Sequence, residues 1–137
     1  MDKERILAKL GELDGYVSEL KGIIPRNFSA YKSTEIKRAC ERLLQISLEA
    51  VLDVCNILVS ELKLGIPENE DAVLEKLKKS GIITDSLHKR LAKMKRTRNV
   101  LVHRYGIIDD KLIFGMLERD INDFGKFRKE VIHFLKK

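Results

Sequence analysis

The chain has 137 residues, 44% apolar and 35% charged, which suits a single domain over 1–137 with an aliphatic core and leaves little room for a second. Its formal net charge of +6 favours polyanionic partners, and the stretch from Leu87 to Ile108 concentrates that charge, with seven Lys and Arg and no acidic residue. No uncharged apolar run approaches the roughly 20 residues of a bilayer span, and the start MDKERILAKL lacks the basic-then-apolar order of a secretory signal, so membrane and secreted classes are set aside and a cytoplasmic location is expected.

Apolar residues recur at helical spacing through nearly the whole chain. The first helix is predicted over about residues 3 to 21, carrying Ile6, Leu7, Leu10, Leu13, Val17 and Leu20 and ending near Gly22 and Pro25. Gly11 and Gly15 lie inside it, either for close helix approach or as tolerated weakness. The second helix runs from about Thr34 to Leu62, with Ser33 or Thr34 as cap and Glu35 in its first turn. Its apolar set, from Ile36 to Leu62, is wider than one stripe, so it is central or serves a core and an interface together. Cys40 and Cys55 lie on this helix roughly 22 Å apart, too far for a disulfide, and read as small core residues in a reducing compartment.

A loop, LGIPENED, precedes a short third helix at about 70 to 79 that stops at Gly81. The fourth begins after Thr84 or Asp85 and runs to about Val102, with Gly106 marking its end; the fifth spans about 110 to 135. The predicted fold is all-α, an antiparallel bundle of about five helices.

On the fourth helix the inward stripe reads Leu87, Leu91, Met94, Arg98, Leu101, Tyr105, in steps of four, three, four, three and four. Arg98 therefore stands where an apolar residue is due. An unpaired buried guanidinium is costly, so it meets a carboxylate, with Asp53 the candidate, or reaches water in a cleft, or awaits an anionic ligand. Arg98 and His103 are five residues apart, roughly 140° around an ideal helix. They share a face only if the helix loosens or a second copy contributes. Asn99 and His103 are four apart and can be neighbours. His88, beside the basic run and expected to be exposed, and His133, on the last helix, are weaker candidates, and no cluster near the motif has metal-ligand spacing.

The stretch RNVLVHRY, residues 98 to 105, resembles the Arg-x4-6-His-x-Tyr signature of HEPN domains in the HepT-like branch. ERILAKLGELDGYVSEL, LEAVLDVCNILVSELKLGIPENEDAVLEKLKKSGII and the long final helix extend the resemblance over most of the chain, while Gly22 to Lys32 resembles nothing in particular. The resemblance implies a helical homodimer with Arg98 and His103, supported by Asn99, lining a cleft between subunits. It implies a metal-independent endoribonuclease toxin that needs no cofactor, paired with an MNT-type nucleotidyltransferase antitoxin that adenylylates Tyr105.

The residue chemistry agrees with that expectation. RNA carries its own nucleophile in the 2′-hydroxyl. His103 can move protons near neutrality, and Arg98 can hold a phosphate in a bidentate fork. A two-fold cleft supplies the second acid–base group as a second His103. The alternative is a non-catalytic subunit that binds nucleotide or substrate for a nucleotidyltransferase, using the same cluster as an anion site.

Overall fold

The computed structural model describes residues 1–103 and 108–137; Arg104, Tyr105, Gly106 and Ile107 lie outside the described residues. The described part forms seven helices: α1 (Lys3–Ile23), α2 (Phe28–Tyr31), α3 (Thr34–Glu61), α4 (Glu70–Lys79), α5 (Asp85–His103), α6 (Asp110–Asp120) and α7 (Asp123–Leu135). Four of the five predicted helices stand within a residue or two of their expected limits. The fifth is divided: α6 ends at Asp120, and α7 starts at Asp123 after a break at Ile121 and Asn122. Apolar periodicity runs on across the break, since Leu117, Phe124 and Phe127 are all buried, which is why the sequence reads as one helix. The additional short α2 lies in the segment between Gly22 and Lys32. Asn27 caps it by accepting from the Ala30 amide at 2.9 Å, and its Tyr31 is wholly buried against Phe114 of α6.

α3 is the axis of the bundle. α1 lies along it with Ile6, Leu10, Leu13, Val17 and Leu20 inward, and α4 and α5 pack on other sides. By length and composition α3 could cross a bilayer, with a mean hydropathy of 1.6 over its most apolar window, but its apolar residues enter the core. Leu48, Val51, Val54, Cys55, Leu58 and Val59 are all nearly or fully buried, so most of the wide apolar set enters this chain's own core, with Ile36, Leu43 and Leu62 part-buried against it. Burial pushes the Cys40 thiol up to about 11, with the Glu41 charge adding to the effect, and the Cys55 thiol up to about 12. Both are free, as expected of small core residues. Gly11 and Gly15 have no described atom of this chain within 4 Å of the point where a Cβ would stand, so no described helix of the chain approaches them closely.

Ion pairs between helices trace the antiparallel order. Lys9 meets Asp53 at 3.8 Å between α1 and α3. Between α5 and the last two helices, Arg90 meets Asp123 at 2.6 Å and Lys93 meets Asp120 at 2.7 Å. In the same direction the Thr84 amide donates to Glu130 at 2.8 Å. α4 and α5 are joined by Lys95–Asp71 at 2.6 Å, His88–Glu75 at 3.5 Å and Lys78–Asp85 at 3.9 Å.

Candidate functional site

α5 starts at a built cap. The Thr84 hydroxyl accepts from the Leu87 amide at 3.1 Å, and Glu130 holds Thr84 from α7. From there the buried positions are Leu87, Leu91, Met94, Thr97 and Leu101. The expected stripe is thus corrected at one position: Thr97, 5% exposed, is turned inward, and Arg98 flanks it. The Thr97 hydroxyl costs nothing there because it donates to the Lys93 carbonyl at 3.0 Å. Either residue satisfies a three-to-four spacing after Met94, and only the facing helices decide which one enters the core.

Arg98 keeps 18% of its side chain exposed. Its guanidinium is held along one edge: Nε donates to the Asn99 Oδ1 at 2.9 Å, and Nη2 pairs with the Glu70 carboxylate at the start of α4. Nη1 makes no hydrogen bond to any described residue. The carboxylate partner is therefore Glu70 and not Asp53, which is largely exposed on α3 and faces Lys9. Glu70 is the residue that sequence reasoning missed. It is 28 positions from Arg98, in a loop-to-helix turn, and no periodicity links the two.

α5 remains α-helical through His103, the last described residue before Arg104, so the helix does not loosen between Arg98 and His103. The two remain roughly 140° apart around the axis, and one chain does not bring them to one face. Asn99 and His103 are one turn apart; Asn99 is half-buried and His103 exposed. Tyr105 lies outside the described residues. Next to this part of α5 an open groove of about 250 Å³ is lined by Lys93, Arg96, Thr97, Val100, Leu112 and Met116. Val100 and Leu112, which both line this groove, leave 44% and 51% of their surface exposed, whereas Val102, 43% exposed, lies roughly 200° around α5 from Val100.

Four of the basic residues on α5 are committed to carboxylates of neighbouring helices: Arg90, Lys93, Lys95 and Arg98. The basic run is thus in large part a set of inter-helix pins rather than a solvated face. His88 is part of it, half-buried against Glu75 instead of exposed. His133 lines a separate groove between the turn at Gly81 to Thr84 and α7, which none of the described motif residues lines.

Comparison with known proteins places this geometry. The family model described as Ribonuclease HepT-like matches residues 13–131. A protein named tRNA nuclease HepT from Aphanizomenon flos-aquae is 28% identical over 131 residues, covering 95% of this chain and 89% of that one. One named mRNA nuclease HepT from Shewanella oneidensis is 30% identical over 84 residues, or 61% of this chain and 63% of that one. Among solved structures, a tri-AMPylated HEPN toxin of Shewanella oneidensis in complex with an MNT antitoxin superposes with a TM-score of 0.86 at 21% identity, covering 93% of this chain and 96% of that one.

Proposed function

Because the chain belongs to the HepT-like ribonuclease family, we propose that it is the endoribonuclease toxin of a toxin–antitoxin pair, cutting RNA without a metal at Arg98 and His103 in a cleft shared by two copies. The observation that carries this reading is the state of Arg98. Its guanidinium is anchored along one edge by Asn99 and Glu70, while Nη1 has no hydrogen-bond partner among the described residues. An anchored fork with a free end suits a phosphate, on which charge grows as the 2′-oxygen attacks.

In the proposed reaction one His103 takes the proton of the 2′-hydroxyl. The 2′-oxygen bonds to phosphorus, the bond to the 5′-oxygen breaks, and the partner subunit's His103 protonates that oxygen. The products are a 2′,3′-cyclic phosphate and a 5′-hydroxyl. Two copies are needed because one helix offers one His103, set roughly 140° from its own Arg98. The exposed Val100 and Leu112, which line one groove beside α5, supply an apolar surface for the pairing.

The partner fitting this reading is an MNT-type nucleotidyltransferase that transfers AMP from ATP to the Tyr105 hydroxyl with release of pyrophosphate. An AMP there adds negative charge and bulk seven residues along the chain from Arg98, within the motif proposed to take RNA. The relatives named as nucleases of tRNA and of mRNA make RNA the substrate class. A cytoplasmic site of action follows from those substrates. The test is RNA cleavage in excess EDTA. Cyclic-phosphate ends from the wild type, with none from His103→Ala, support the proposal. Cleavage that vanishes in EDTA and returns with a divalent ion overturns the metal-free mechanism. A persistent monomer that still cleaves overturns the shared cleft.

A further inference from the structure

We infer that Glu70 is a positioning residue for Arg98, acting on the cleavage step through the guanidinium and without touching RNA. The inference rests on the reading of Arg98 as catalytic. An arginine side chain has four flexible torsions, so a fork that must meet a developing phosphorane works best when it is held beforehand. Asn99 alone cannot hold it, since it bonds only Nε from the adjacent position on the same helix. Glu70 supplies the second anchor, on Nη2, from a different helix.

That anchor stands on a rigid base. Asn69 caps α4 by accepting from the Ala72 amide at 2.8 Å, which makes Glu70 the first residue of the helix. Val73, Leu74 and Leu77 bury α4 against the core, and Lys76 ties the preceding loop by donating to the Leu64 carbonyl at 3.0 Å. The neighbouring Asp71 pairs with Lys95 at 2.6 Å, one turn along α5 from Arg98. The two acidic residues thus grip two cations of α5, but only Glu70 grips one in the motif.

The Asp71–Lys95 pair is the internal control for a role that is merely structural. Glu70 and RNA phosphate both carry negative charge, so removing Glu70 does not weaken attraction of RNA to Arg98. The loss therefore falls on kcat, and KM stays level or drops.

The experiment measures single-turnover and steady-state RNA cleavage by the dimeric full-length protein carrying Glu70→Gln, Glu70→Ala or Asp71→Asn. Each is repeated in an Arg98→Lys background, with folded content checked by circular dichroism. The expected result is a kcat on the order of tenfold lower for Glu70→Ala, a smaller loss for Glu70→Gln, which keeps an acceptor, no rise in KM, and wild-type rates for Asp71→Asn. In the Arg98→Lys background, Glu70→Ala makes no further difference. Wild-type or faster cleavage by the Glu70 variants, an equal loss in Asp71→Asn, or losses that multiply with Arg98→Lys overturn the inference. If Arg98→Lys and Arg98→Ala themselves cleave like wild type, it is the catalytic reading of Arg98 that fails, a result distinct from a silent Glu70.

Discussion

α3 buries thirteen of its 28 residues, whereas α5 buries five of 19 and holds its flanks with ion pairs to α4, α6 and α7. The first is secured by apolar area, which has no direction and tolerates small rotations. The second has a narrower buried stripe and adds discrete charge pairs along its flanks. Each exposed or half-exposed pair contributes little stability. Of these pairs only Glu70–Arg98 holds a side chain of the motif. The molecule thus separates the helix most buried in the core from the helix proposed to carry the chemistry, and substitutions in the two should fail in different ways.

The sharpest contrast comes from the motif. His103→Ala should lower RNA cleavage by about 10²–10⁴-fold, the usual range for a general acid or base, with an unchanged melting temperature, because His103 is exposed. Arg98→Ala should match it in activity and remain folded, since Glu70 is left half-exposed and solvated. A melting temperature that collapses in either variant would move these residues into the structural class. Leu58→Ala on α3 should behave in the opposite way. Leu58 is 0% exposed, so the cavity should cost about 2–5 kcal/mol in urea unfolding, with unchanged activity per folded molecule.

The buried thiols sharpen the contrast through pH. Cys40 and Cys55 are held above the ordinary value of 9.0, so above that pH the unfolded chain loses thiol protons before the folded one does. Their contribution to stability is therefore full below pH 9 and declines as pH rises through about 11 and 12. Urea midpoints should fall between pH 8 and pH 10.5, and less steeply when both cysteines are replaced by Ala. Equal slopes would show that these thiols do not set alkaline stability. The smallest effect is expected on the exposed side of α1: Gly15→Ala meets open space and should raise stability by about 0.5–1 kcal/mol, read from the same urea curves. A loss there would mean that another molecule covers this face.

Periodicity and punctuation were sufficient for much of this architecture. The limits of α3 to α5 follow from local signals: an apolar spacing of three to four, Glu35 in a first turn, a Thr84 cap and a Gly81 stop. Arg98, Asn99 and His103 could be named as candidates because their spacing is a property of one helix. The break between α6 and α7 escaped because its two residues, Ile121 and Asn122, do not interrupt the apolar rhythm, and no Gly or Pro marks it. Tertiary structure alone decided that Thr97 faces the core and Arg98 its flank, because both satisfy the same spacing and only the facing helices distinguish them. It also decided that Glu70 meets Arg98 in place of Asp53. An ion pair between helices depends on how they dock, and docking is fixed by the summed burial of residues far apart in the chain.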